Sequence, residues 1–405
     1  MITIKDKREC CGCSACASVC PKYCIIMSED NEGFRYPIVD SAQCVDCGLC
    51  ENVCPILNIE KESLFQQEAY LIQHKDGTIL KQSTSGGAFT AISEWVIEQN
   101  GVIFGAAFKD NTFEVQHRFV ENKEDLVLFR NSKYVQSCIA DSYKLAQDFL
   151  RKGRWVCFSG TPCQIEGLVK FLRREYATLL LVDVVCRAVP SPLVLKKYID
   201  FQSAVSGGKF TGLFFREKYY GYKYSTLSLY NVIPKLDYRS GVESNYYLRS
   251  FFSGMAIRPS CAQCVFKKQY RVSDITLWDC FDVYRFSKEL DDDRGVTRAL
   301  VHTAKGVEII QKIQEYAKVL PIDVEKAVEG VKELKFSVQC NPKRGSFFRD
   351  LNSMQTDECF NKYFPITMRS KIEKIIRLAM NRLGMYSFAK RAFKTLFPKM
   401  SSIKK

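Results

Sequence analysis

The chain has 405 residues, of which 46% are hydrophobic and 26% are charged; these values exclude wholesale disorder and allow two or three domains with a substantial core. Its 19 cysteines and only three histidines disfavour a histidine-driven acid–base enzyme and a Cys/His zinc array. The net charge is +14, but residues 366–405 carry +10 of it. The nearly balanced remainder gives little support to nucleic-acid binding, so no nucleic-acid partner is expected.

The cysteines also indicate a compartment. No apolar run is long enough to cross a membrane, and the first residues contain no apolar signal core, so we expect a cytoplasmic protein. Cytoplasmic thiols are kept reduced, which makes disulfides a poor explanation for so many cysteines. Metal ligation is the better interpretation.

Two cysteine runs with identical spacing dominate residues 1–56. Each has four cysteines separated by two, two and three residues and followed by proline: Cys10, Cys13, Cys16 and Cys20, then Cys44, Cys47, Cys50 and Cys54. In this bacterial ferredoxin pattern the first three cysteines hold one [4Fe–4S] cluster and the fourth ligates the other. We therefore predict an α+β ferredoxin-like domain with cluster one on Cys10, Cys13, Cys16 and Cys54, and cluster two on Cys44, Cys47, Cys50 and Cys20.

The alternative for these runs is a pair of zinc knuckles. Zinc sites take two cysteines from each of two loops, which does not match four cysteines and a proline. Cys11 and Cys24 lie off the spacing, and we interpret them as neighbours of the ligands.

Residues 57–68 are polar and predict a linker, and residues 69–365 have the pattern of an α/β domain with a mixed sheet. Apolar runs predict strands at 101–108, 154–159 and 178–184, with helices at 87–99, 139–151 and 163–174. Residues 210–231 indicate an antiparallel pair, and residues 306–318 a helix.

Four cysteines of this domain form a second group. Cys163 follows a strand-to-helix turn at which Thr161 can cap the helix, and Cys186 ends the next strand. Strand ends of an open α/β sheet share one edge, so these two cysteines can converge. Cys261 and Cys264 add a CxxC pair, and four such ligands suit a third cubane. From the residues alone, a buried core thiol at Cys186 and a redox pair or half of a zinc site at the CxxC remain open alternatives.

Five short motifs in a fixed order now carry a resemblance. They are Ser-Thr-Ser-Gly-Gly at 83–87, Ser-Lys-Tyr-Val-Gln-Ser at 132–137, Ser-Gly-Thr-Pro-Cys-Gln at 159–164, Cys186 with Val-Pro-Ser-Pro at 189–192, and the segment 258–279 that begins Arg-Pro-Ser-Cys. With the ferredoxin runs, the chain resembles the coenzyme F420 hydrogenase/dehydrogenase beta-subunit family with a fused two-cluster ferredoxin domain. The resemblance extends from Cys10 to about Phe286.

The resemblance implies an iron–sulfur flavoprotein. Such proteins bind FAD non-covalently and pass electrons between a deazaflavin or other hydride carrier and [4Fe–4S] clusters. The family's body cysteines match Cys163, Cys186, Cys261 and Cys264, which favours a third cluster. Its flavin-contacting turn matches Ser83, Ser85, Gly86 and Gly87, and Lys133 can offset phosphate or reduced-flavin charge. The alternatives are a helix cap without ligand and a solvated lysine.

Two departures concern the hydride carrier. Arg187-Ala188 stands where members often have His-Gly, and Trp-Asp-Cys-Phe-Asp at 278–282 lacks two glycines of the family segment. Both weaken the case for F420 itself, so a nicotinamide stays a candidate. Related fused proteins occur among surface-polysaccharide biosynthesis genes, which makes that pathway a hypothesis.

Two alternatives to an oxidoreductase with its own substrate stay open. One is an electron-transfer module docked on a partner enzyme, with no turnover of its own, and the other is a structural iron–sulfur protein that binds nucleic acid.

Residues 366–405 predict a basic amphipathic helix. Its apolar stripe comprises Ile372, Ile376, Ala379 and Leu383, then Met385, Phe388, Ala392, Phe393 and Leu396. Such a helix suits the surface of an anionic membrane. The alternatives are packing of the stripe on the body or on a partner, and contact with nucleic acid.

Overall fold

The computed structural model describes residues 1–60 and 62–385. The N-terminal part has two short helices and a hairpin: α1 (Ala15–Val19), β1 (Ile25–Glu29), β2 (Arg35–Val39) and α2 (Leu49–Asn52). The two strands pair antiparallel. Each helix comes directly after the second cysteine of its run, so the sequence repeat is also a structural repeat.

A large α/β unit follows the linker. Its elements through the middle of the chain are β3 (Glu68–His74), α3 (Gly77–Gln82), α4 (Ala88–Glu98), β4 (Val102–Phe108), β5 (Val115–Val120), β6 (Ser137–Cys138), α5 (Ser142–Arg151), β7 (Val156–Gly160), α6 (Pro162–Leu172), β8 (Leu179–Val184) and α7 (Pro192–Ser206). The strands predicted at 101–108, 154–159 and 178–184 are confirmed as β4, β7 and β8, and the three helices predicted around them are confirmed as α4, α5 and α6.

The remaining elements complete this unit. They are β9 (Phe210–Glu217), β10 (Thr226–Asn231), β11 (Tyr238–Gly241), α8 (Tyr246–Phe252), β12 (Ile275–Asp279), β13 (Thr297–Val301), α9 (Ala304–Lys312), β14 (Ala317–Ile322), α10 (Val324–Val328), α11 (Lys332–Lys335), α12 (Arg344–Ser353), α13 (Thr356–Tyr363) and α14 (Met368–Arg382). The pair predicted within 210–231 is confirmed as antiparallel β9 and β10. The helix predicted over 306–318 is wrong at its end, because strand β14 begins at Ala317 and pairs with β3.

The described strands of the main sheet have the order β14-β3-β13-β12-β8-β7-β4-β5-β6. Its centre is parallel, since β12, β8, β7 and β4 run in one direction, whereas the flanks contain antiparallel pairs. The sheet is therefore mixed, as predicted. The carboxyl ends of the four central strands meet at one edge, where ligands bind in open α/β sheets.

The N-terminal domain is not separate from the larger unit. Cys13, Ala15 and Val53 belong to the same hydrophobic cluster as side chains of α5, α6 and the central strands. The hairpin residues Phe34 and Tyr36 pack with α7, α12 and α13 in another cluster. This shared burial fixes the cysteine runs against the sheet edge and α6.

The basic tail is described only as far as residue 385. Helix α14 confirms the predicted helix there, but none of its described residues is buried. Leu383 of the apolar stripe is 67% exposed. The stripe residues Phe388, Ala392, Phe393 and Leu396 lie outside the described residues. Among the described residues, no helix combines the length and apolar character that a membrane crossing needs.

Candidate cofactor site

The eight cysteines of the two runs line two separate small cavities. One is lined by Cys10, Cys13, Cys16 and Cys54 together with Cys11, and the other by Cys20, Cys44, Cys47 and Cys50 together with Cys24. The structure thus brings together the two sets that the spacing predicts, including the exchange of the fourth cysteine between runs. Ligation itself stays a prediction.

Local backbone geometry explains the shape of both loops. Ser14 and Gly48 hold equivalent positions in the two runs, and both are left-handed, with φ of 66° and 72°. Each is the residue before its short helix, so the chain turns sharply between the second and third cysteines. That turn lets three sulfurs face one cavity.

Each donor set consists of four cysteine thiols spread around a cavity. A four-iron cubane is larger than an ion, so its four thiolates stand around a volume rather than a point.

The two cysteines off the spacing both contact predicted ligands. The Cys24 Sγ is 3.4 Å from the Cys20 Sγ. The Cys11 thiol hydrogen-bonds with Cys13 and with Cys163, and the bond with Cys13 raises the pKa of Cys11. Cys11 therefore lines the first cavity and also contacts a cysteine of the larger domain, a tertiary placement that its sequence position does not reveal.

The four body cysteines come together at the sheet edge. Cys163 lies in the first turn of α6, where the Gln164 side chain accepts a hydrogen bond from the Thr161 N–H at 3.0 Å. Cys186 follows β8, and the CxxC pair lies on a 3₁₀ turn and just after it. The charge of Cys163 raises the pKa of each of the other three cysteines, which adds to the effect of burial. For Cys186 burial raises the pKa to about 12.

Cations surround this thiol group. The Lys267 Nζ donates to the carbonyl oxygens of Cys186 and Glu333. The buried Arg271 guanidinium donates to the Asp183 carboxylate at 3.0 Å. Lys267 and Arg271 both lower the pKa of Cys186 and of Cys264, opposing the effect of burial. These cations offset the effect of burial only in part, and the pKa of both thiols stays above its usual value.

A cavity of about 400 Å³ opens beside Cys186. Its wall is formed by the carboxyl ends of the central strands and by the N-termini of α4 and α6, and it includes Ser83, Ser85, Gly87 and Lys133 from the predicted flavin site. The two segments that depart from the family also line the cavity, through Arg187, Ala188, Trp278 and Asp279. Cys280 is fully buried and accepts a hydrogen bond from the Arg298 Nε at 3.3 Å.

The predicted flavin turn makes its own hydrogen bonds. The Ser83 Oγ donates to the Ile79 carbonyl and the Ser85 Oγ to the Val296 carbonyl, both at 2.7 Å. These hydroxyls are therefore used to fix the turn. The backbone of Gly87, with φ of 76°, begins α4 at the cavity wall, where the first N–H groups of a helix have no partner within the helix.

Gly86, unlike Gly87, is not part of the cavity wall. Its N–H donates to the Thr297 Oγ1 at 2.9 Å, and a Cβ added to it would stand 2.1 Å from the Ile72 carbonyl oxygen. The close approach that requires glycine here is to the protein's own strand β3. Contact of Gly86 with a flavin stays a prediction.

Lys133 is half-buried, and its amine is held by the protein. Its Nζ donates to the carbonyl oxygens of Leu128 at 2.8 Å and Arg130 at 2.7 Å. Burial lowers its pKa to about 7. The sequence did not indicate Arg216, which comes from β9 and donates to the Asp279 carboxylate at 2.9 Å at the cavity wall.

Two family matches cover the twelve predicted cluster cysteines. Residues 153–326 match the family described as the C-terminal part of the coenzyme F420 hydrogenase/dehydrogenase beta subunit. Residues 9–57 match the 4Fe-4S dicluster domain.

Similar proteins include the coenzyme F420-dependent sulfite reductase of Methanocaldococcus jannaschii, 27% identical over 168 residues, which are 41% of this chain and 26% of that protein. The match thus spans about a quarter of the relative. A chain from a xenon-derivatized structure of the F420-reducing [NiFe] hydrogenase complex of Methanosarcina barkeri is 14% identical. It has a TM-score of 0.44, with 76% of this chain and 97% of that chain covered. Residues 9–57 are therefore similar to a 4Fe-4S dicluster domain, and residues 153–326 to the C-terminal part of the coenzyme F420 hydrogenase/dehydrogenase beta subunit.

Proposed function

We propose that the chain is an iron–sulfur flavoprotein that passes electrons between a hydride carrier and a redox partner. The carrier is F420-like or a nicotinamide, the 400 Å³ cavity holds FAD, and a third [4Fe–4S] cluster is held by Cys163, Cys186, Cys261 and Cys264. One observation supports this arrangement above the others: Cys186 belongs both to the thiol group and to the cavity wall.

The residues of the cavity suit a flavin nucleotide. Its volume lies within the range of about 300–1,000 Å³ found for cofactor sites. The N-termini of α4 and α6 present N–H groups to an anionic ligand, and Lys133 adds a titratable cation. A bound flavin supplies the conversion between two-electron hydride chemistry and one-electron cluster chemistry.

A series of cysteine interactions extends from the cavity to the two cysteine runs. Cys186 interacts with Cys163, and Cys163 with Cys11, which hydrogen-bonds Cys13 of cluster one. Cys16 of cluster one interacts with Cys50 of cluster two, in which Cys47 is exposed. We therefore place the docking surface of the partner protein around Cys47, in the cluster farthest along this series from Cys186.

The experiment compares two exposed valines after anaerobic purification. Val184 is 41% exposed and lines the cavity, whereas Val205 is 69% exposed on α7 and is not part of its wall. Val184→Trp should reduce FAD per chain by more than half while iron is retained, and Val205→Trp should change neither. Full FAD occupancy in Val184→Trp would move the flavin elsewhere.

Turnover distinguishes the enzyme from an electron-transfer module. The purified protein should oxidise one of NADH, NADPH or reduced F420 with an artificial one-electron acceptor present. Reduction only when a partner enzyme is added would favour the module.

We also propose that the tail contacts an anionic membrane surface, since none of the described apolar side chains of α14 is buried. A role in surface-polysaccharide biosynthesis stays a hypothesis from the resemblance.

A further inference from the structure

Arg258 connects the loop of cluster one with the turn that carries Cys261. Its side chain is fully buried, its Nε donates to the Cys10 carbonyl at 2.9 Å, and its Nη2 donates to the Arg35 carbonyl at 3.0 Å. Its own carbonyl accepts a hydrogen bond from the Cys261 N–H at 3.0 Å. One residue therefore contacts the backbone of a predicted ligand in each of two cluster sites.

The charge of this arginine has no carboxylate partner in the described part of the chain. No Asp or Glu within residues 1–60 and 62–385 forms an ion pair with it, and its Nη1 is buried without a hydrogen-bond partner. The Tyr36 ring, 4.1 Å from the guanidinium carbon, offers a cation–π contact that supplies only part of the compensation. A buried cation without a counter-charge is costly, so another anion must balance it.

The groups that can supply this anion are the predicted ligands whose backbones Arg258 contacts. Cys10 belongs to cluster one and Cys261 to the proposed body cluster. A [4Fe–4S] cluster with four thiolates is a net anion, and one-electron reduction makes it more negative.

The cluster-one loop is shaped to lie on the guanidinium. Gly12 has φ of 74°, and a Cβ added to it would stand 2.7 Å from the Gln136 Nε2 and 2.9 Å from the Arg258 Nη1. Only glycine combines that left-handed backbone with so close an approach. The contact is therefore built into the loop between Cys10 and Cys13.

We propose that Arg258 is a positioning residue whose buried charge is shared by cluster one and the body cluster and raises the reduction potential of both. A fixed cation between two anionic clusters stabilises each reduced form more than its oxidised form. The inference rests on the proposed function, because it needs the cluster on Cys163, Cys186, Cys261 and Cys264.

The test separates charge from packing. Arg258→Gln removes the charge and Arg258→Lys keeps it, while both lose hydrogen bonds of the guanidinium. Arg344 is the matched control, since it lies at the same interface between domains and donates to the Glu32 carboxylate at 2.9 Å and to the Ile257 carbonyl at 2.9 Å. The full-length proteins are reconstituted anaerobically, their iron is counted, and the potentials are measured by EPR-monitored titration.

The expected result is a fall of both potentials in Arg258→Gln, by at least tenfold in the reduction equilibrium constant, about 59 mV for one electron. Arg258→Lys should stay close to the wild type, and Arg344→Gln should leave both potentials unchanged. Equal shifts in the Gln and Lys variants, or unchanged potentials in a twelve-iron protein, would overturn the role of Arg258 alone. A wild-type plateau at eight irons would overturn the proposed body cluster, and the shared charge with it.

Discussion

Cys13 lies directly against Gly167 of α6. A Cβ added to Gly167 would stand 2.9 Å from the Cys13 Cβ and 3.1 Å from its Sγ. Glycine inside a helix costs about 1 kcal/mol relative to alanine, so its presence in α6 indicates a packing requirement. Gly167 follows Cys163 by one helical turn, and α6 therefore joins cluster one to the body cysteines through a single rigid element.

The first prediction tests this contact. Gly167→Ala should displace the Cys13 loop, lower the occupancy of cluster one and destabilise the protein by about 1–3 kcal/mol, because the added methyl group overpacks a closed site. Iron content and thermal unfolding measure both effects. Gly77→Ala is the control, since a Cβ at Gly77 meets nothing within 4 Å. Equal behaviour of the two variants would show that α6 does not position Cys13.

The second prediction separates Cys11 from the ligand beside it. Cys11→Ala should retain the cluster spectrum, whereas Cys13→Ala should lose one of the two ferredoxin signals, because only Cys13 is on the spacing of the run. EPR of the dithionite-reduced proteins provides the comparison. Equal losses in both variants would mean that the predicted register of the first run is wrong.

The third prediction concerns pH. Burial lowers the pKa of Lys133 to about 7. An anionic flavin nucleotide pairs with the protonated lysine, so flavin binding above that pH requires Lys133 to take up a proton. Flavin affinity should be constant below about pH 7 and weaken by up to about tenfold per unit above it. Fluorescence titrations of the flavin-free protein between about pH 6 and pH 9 measure this.

Lys133→Met should bind flavin more weakly at about pH 6 and lose the pH dependence. Lys144→Met is the control variant. The Lys144 Nζ lies 4.4 Å from the centre of the Tyr23 ring, and Lys144 is not part of the cavity wall. An unchanged pH profile in Lys133→Met would assign the dependence to another group.

The sequence predicted the parts of the site that depend on local spacing. The two cysteine runs carry their register in i, i+3 and i+6 positions, and Cys163 and Cys186 follow from the shared edge of parallel strands. Other contacts join segments that are far apart in the chain, and no local pattern indicates them. They are those of Arg258 and Arg216 and the hydrogen bond of Cys11 with Cys163.

The end of one predicted helix is wrong for a physical reason. Apolar residues continue past Ile313, so the helix predicted over 306–318 includes the first two residues of β14. The sequence predicts flavin contact at both Gly86 and Gly87, and this stays a prediction. Packing against Ile72 accounts for Gly86, whereas the left-handed start of α4 accounts for Gly87.

The fourth prediction concerns the tail. The full-length protein should sediment with vesicles of phosphatidylglycerol at low salt and be released at high salt, because basic side chains near an anionic surface contribute about 1 kcal/mol each. A chain stopped at Pro365 should stay in the supernatant. If both proteins stay in the supernatant at low salt, the tail does not bind membranes.

Iron and sulfide content of the anaerobically reconstituted protein tests the central claim most directly. Three cubanes on twelve cysteines predict about twelve irons and twelve sulfides per chain, with about four of each lost in Cys261→Ser. Cys340→Ser is the control, because Cys340 is exposed and belongs to none of the three groups. A plateau at eight irons that Cys261→Ser leaves unchanged would contradict the account.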